Sequence, residues 1–78
     1  MHESEERPIN DVIVENIKRY WDPSKMTKDQ FGKYLGTSGS EINRILGGGN
    51  ITVKKLQQIA QVLEVKTIDL VEDWKEVK

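Results

Sequence analysis

The segment 28–47, KDQFGKYLGTSGSEINRILG, leaves this chain few ways to fold. Phe31 and Leu35 are four apart and share one helix face; Ile42 and Ile45 are three apart and share another. Gly36 sits between the two pairs and can take the left-handed backbone that ends a helix sharply. Ser38 then offers a side-chain oxygen to the free amides of a second helix, as an N-cap. Gly32 has no side chain, so the second helix can lie close against the first. The segment therefore predicts two short helices meeting at a tight turn.

The flanking residues extend the helical pattern. Ile13, Ile17, Tyr20 and Trp21 fall on one helix face, and Asp22-Pro23 stops that helix because proline disfavours a helical residue before it. Met26 is placed beneath the start of the second helix, with Thr27 as its N-cap. Gly47, Gly48, Gly49 and Asn50 form a loop, and Thr52 caps a fourth helix with Val53, Leu56, Ile59, Ala60 and Leu63 as its buried stripe. Thr67 opens a short fifth helix with Ile68, Leu70 and Val71 facing inward. No segment shows the strict alternation of a strand. The expectation is an all-α, compact five-helix domain over residues 9–73, preceded by a disordered acidic tail (1–8) and followed by a C-terminal tail (74–78).

Two short helices at a tight turn make a helix-turn-helix, whose second helix is shaped for the DNA major groove. On those residues, and on the following run ITVKKLQQIAQVLEVKTIDLVE, the chain resembles the lambda-repressor and Cro-like (XRE-type) DNA-binding proteins from about Asp11 to Glu72. The resemblance implies a sequence-specific regulator, a phage-type or Cro-like repressor occupying a promoter operator, with double-stranded DNA as partner. It also implies a homodimer on DNA, reading two half-sites about one helical turn apart.

Arg44 lies near the exposed side of the third helix. It can grip guanine N7 and O6 or a phosphate, or else pair with Glu41 on its own chain. Ser38, Gly39 and Ser40 open that helix, where the family's base-reading side chains sit. Many relatives place glutamine or arginine at the positions of Gly39 and Ser40, so readout here falls to backbone, water and DNA shape, or to Asn43 and Arg44. Thr37 departs too, since an apolar residue is usual after the turn glycine. Lys28 is a candidate phosphate contact, as are Asn50, Thr52, Lys54 and Lys55 around the start of the fourth helix. Leu70, Val71, Trp74 and Val77 are candidates for a two-fold interface, with Trp74 and Val77 alternatively folding back on their own core.

Net charge is −1 and the isoelectric point about 5.8, which at first sight disfavours a nucleic-acid partner. Position matters more than the total. Residues 1–16 carry −4 and residues 67–78 carry −2, whereas 17–66 carry nine basic and four acidic residues. The positive charge therefore lies on the segment that resembles a DNA reader.

Other chemistries find little purchase. There is no cysteine, so disulfides and thiolate metal sites are excluded. His2 is the only histidine, which rules out a histidine metal cluster, and no nucleophilic triad can be built from it in a loose tail. Glu3, Glu5 and Glu6 read as a solvated acidic tail. The triple glycine lacks the lysine and hydroxyl residue of a phosphate loop. No cofactor and no catalysis are expected. Without a signal segment or an apolar run of roughly 20 residues, a cytoplasmic protein with no membrane partner is expected. At this length no separate ligand or cleavage domain is expected, so switching would come from concentration, competition or a partner such as a toxin or antirepressor. Two rivals remain open: an antitoxin of a toxin–antitoxin pair, and a protein-interaction module that kept the fold without DNA binding.

Overall fold

In a computed structural model the chain is described over residues 6–74, and these form five α-helices and no strand. They are α1 (Ile9–Tyr20), α2 (Lys28–Tyr34), α3 (Gly39–Leu46), α4 (Val53–Leu63) and α5 (Thr67–Val71). Helix α2 packs on α3, while α5 closes the domain by packing on both α1 and α4. Phe31, Ile17, Ile42, Ile59 and Leu70 are the largest apolar side chains fully shielded from solvent. Trp21 stands 5.6 Å from Phe31, ring centre to ring centre, and its indole N–H donates to the Met26 carbonyl at 2.8 Å. That bond fixes the α1–α2 turn against the core.

The helix boundaries follow from local chemistry. Thr27 and Gln30 form a reciprocal capping box at the start of α2. Ser38 accepts the Glu41 amide at the start of α3, and Thr52 accepts the Lys55 amide at the start of α4. Helix α2 ends in a Schellman turn: the Thr37 amide donates to the Gly32 carbonyl at 2.7 Å and the Gly36 amide to Lys33 at 3.0 Å. Gly36 has the positive φ of 73° that this turn demands. Helix α4 ends the same way, with Val65 donating to Ala60 and Glu64 to Gln61, but Glu64 itself holds a φ of 61°. A side chain in that conformation is strained. Glu64→Gly is therefore expected to stabilise the domain by about 0.5–1 kcal/mol after its own entropic cost, read as a higher denaturation midpoint.

Several side chains lie elsewhere than the spacing suggests. Val53 continues the α4 stripe in register but is 79% exposed, because nothing faces the first residue of that helix. Ile68 is 61% exposed rather than inward, so on the five-residue α5 it is Leu70 that fills the core, at 0% exposure. Of the segment expected as a tail, residues 6–8 are described, and Arg7 is engaged by the folded domain. The Arg7 guanidinium makes paired hydrogen bonds to both Glu15 and Asp73, tying the chain before α1 to the chain after α5. Both carboxylates raise the Arg7 pKa above its ordinary value, Asp73 most. His2, Glu3, Glu5 and Val77 lie outside the described residues.

Asn16 is the one polar side chain fully buried among the described residues, at 1% exposure. Its amide donates to the carbonyls of Leu70 at 2.9 Å and Glu72 at 2.8 Å. One α1 side chain thus satisfies two carbonyls at the end of α5, where a helix leaves its acceptors unpaired.

Candidate nucleic-acid interface

Helix α3 is held by its inner face and left bare on its outer one. Ile42 and Ile45 are buried, whereas Ser40, Asn43 and Arg44 are exposed. The approach of α2 is set at Gly32: a Cβ there would stand 2.6 Å from the Ser38 carbonyl carbon. No side chain fits that gap, so Gly32 fixes how close the start of α3 sits to α2.

The starts of α2 and α3 frame an open groove of about 520 Å³. Thr27, Lys28 and Asp29 line it from α2 and its cap, and Gly39, Ser40 and Asn43 line it from α3; Trp21 and Pro23 complete the wall. Lys28 is exposed and engages no carboxylate among the described residues. Four of the expected contact residues, Lys28, Gly39, Ser40 and Asn43, are thereby brought to one surface.

Arg44 is engaged by its own chain. Its guanidinium forms a two-point ion pair with Glu41, and Nη1 donates to the Asn50 carbonyl at 3.1 Å. This pairing lowers the Glu41 pKa and raises that of Arg44, chiefly through the shared hydrogen bonds. Gly49 makes room for it, since a Cβ there would lie 2.6 Å from Arg44 Nη1. The Asn50 side chain is also occupied: its Oδ1 accepts from Asn10 Nδ2 at 3.0 Å. The glycine loop is thus stapled to α1 and α3.

The remaining candidates divide by what already holds them. Ser38 and Thr52 spend their oxygens accepting cap amides but keep a hydroxyl proton to donate. Lys55 is half-buried and reaches the Leu35 carbonyl at 3.5 Å, a cation at the end of α2. Lys54 is exposed. Sequence reasoning missed Asp29, Asn10 and the Trp21–Pro23 wall. Asp29 carried a legible signal, being a charged residue in the first turn beside a candidate contact.

The two-fold candidates differ in how far they reach the surface. Leu70 is wholly buried in its own core and has no surface to offer a second copy. Val71 is half-buried and packs against the core. Trp74 is 43% exposed, donates its indole N–H to the Asp69 carbonyl at 3.3 Å, and lies under the Arg19 guanidinium at 5.6 Å. It folds back on its own chain and leaves one side open. Among the described residues no helix is long and apolar enough to cross a membrane, and no cluster of three metal-ligating side chains exists.

The sequence model of the helix-turn-helix family matches residues 17–70, a span from within α1 to within α5. Among solved structures, the chain is similar to the SOS-response transcriptional repressor LexA from Eubacterium rectale. The two share 26% identity and a TM-score of 0.76, over 90% of this chain and 77% of that one. No match was found among curated proteins. With its capped α2–α3 pair and most of its length matched, this chain belongs to the XRE-type helix-turn-helix family of DNA-binding regulators.

Proposed function

We propose that this protein is a sequence-specific transcriptional repressor that occupies an operator as a homodimer. The observation that carries the reading is the bare outer face of α3, with Ser40 and Asn43 beside the uncommitted cation of Lys28. In this reading Lys28 and Lys54 meet phosphates, and Asn43 pairs with adenine N6 and N7. Arg44 joins by exchanging Glu41 for a phosphate or a guanine. The second copy docks on Trp74, Val71 and the exposed Ile68, in place of the buried Leu70.

A second reading, a protein-interaction module that kept the fold, is favoured by the Arg44–Glu41 pairing and the net charge of −1. An antitoxin would combine both activities. Selection of bound duplexes from a randomised pool, followed by titration across a salt series, separates them. An enriched inverted repeat whose affinity falls with salt supports the repressor. Asn43→Ala should then cost about 1–3 kcal/mol at one base position, while Lys28→Ala should weaken all duplexes alike and lower the salt slope by about one. No enrichment and no salt slope would leave the interaction module as the better account.

A further inference from the structure

Asp29 is the one acidic residue lining the groove between the starts of α2 and α3. It is exposed and has no hydrogen-bond or ion-pair partner among the described residues. Its position relative to Gly39 is specific. A Cβ at Gly39 would lie 2.3 Å from Asp29 Oδ1, so the carboxylate fills the space that a side chain at the first position of α3 would take. Glycine at that position is therefore not an empty site: another residue's oxygen stands in it.

We propose that Asp29 is a base-reading residue, accepting a hydrogen bond from the N4 amino group of a cytosine in the major groove. The inference rests on the operator-reading function proposed above. An ionised carboxylate is an acceptor only, and it is repelled by phosphates and by other acceptors. Guanine presents N7 and O6 and thymine presents O4, all acceptors; the adenine amino group is flanked by its own N7. Cytosine offers an N4 donor with no acceptor on its outer side, so it is the base edge this carboxylate suits. Lys28, next in sequence and in the same groove, offsets the charge toward the backbone. Asp29 would then supply the discrimination that Gly39 cannot.

The test compares duplex selection by the full chain with selection by Asp29→Asn and Gly39→Ala. The first variant removes the charge; the second keeps the charge and displaces the carboxylate with a methyl group. Both should keep the wild-type helical circular dichroism, because Asp29 is exposed and its carboxylate can swing away. The expected result is a cytosine at one fixed position of each half-site in the wild-type selection. Both variants should lose about tenfold preference at that position, with the others unchanged. Asp29→Glu, which keeps an acceptor, should retain the preference for cytosine. Tighter binding of every duplex by Asp29→Asn, with all preferences intact, would overturn the proposal and reduce Asp29 to a phosphate-repelling charge. Failure of the wild type itself to enrich any duplex would instead overturn the operator-reading function, and this proposal with it.

Discussion

Gly32→Ala should lower stability by about 1–2 kcal/mol and remove most DNA affinity. The added Cβ would meet the Ser38 carbonyl carbon at 2.6 Å and its oxygen at 2.7 Å. Both are backbone atoms in the cap of α3, so neither can rotate away. Helix α3 has to move, and overpacking of this kind costs about 1–3 kcal/mol, occasionally more. Alanine's better helix propensity returns about 1 kcal/mol, which is why the net loss is not larger. A chain of this length has only about 4–12 kcal/mol in total. Gly39→Ala is the comparator, because its nearest neighbour is the mobile end of Asp29 rather than backbone. Urea denaturation of the two variants should show a large drop for Gly32→Ala and little change for Gly39→Ala. Equal midpoints would show that the α2–α3 approach is not set at Gly32.

Asn16→Ala should cost about 2–4 kcal/mol. The substitution strips the donor from two carbonyls at once, those of Leu70 and Glu72. An acceptor left unsatisfied in the interior costs about 1–3 kcal/mol, and the Leu70 bond is the more buried of the two. The loss should concentrate in α5 and the segment after it, seen as faster amide exchange there than in α2 and α3. Asn16→Asp is a sharper probe, since it keeps the volume and cannot donate when ionised. Wild-type stability in Asn16→Asp would mean that packing, not hydrogen bonding, holds the end of α5.

The two predictions concern residues that differ greatly in how readable they are. Gly32 could be read from its place in the segment 28–47, because a small residue between Phe31 and Leu35 has meaning only if another backbone passes close by. Asn16 could not. A polar residue one position before the apolar Ile17 looks like the solvated edge of α1, and its partners lie 54 and 56 residues away. The same contrast separates Thr27, Ser38 and Thr52, expected and found as caps, from Arg44. A cap is a bond over three residues, whereas the Arg44 guanidinium chooses between Glu41, the Asn50 carbonyl and DNA according to where the glycine loop returns.

What the sequence alone determined is therefore the local architecture: five helices, the caps of α2, α3 and α4, the glycine turn and the family they identify. These rest on interactions that span one or two helical turns, and residue order specifies them directly. The tertiary structure decided which surfaces remain available. It buried Leu70, exposed Val53 and Ile68, paired Arg44, tied Arg7 to Asp73, and set the Asp29 carboxylate in the space beside Gly39. Those outcomes depend on which helix lies opposite each side chain. Helical periodicity gives the direction a residue faces along its own axis, and only packing says what stands there.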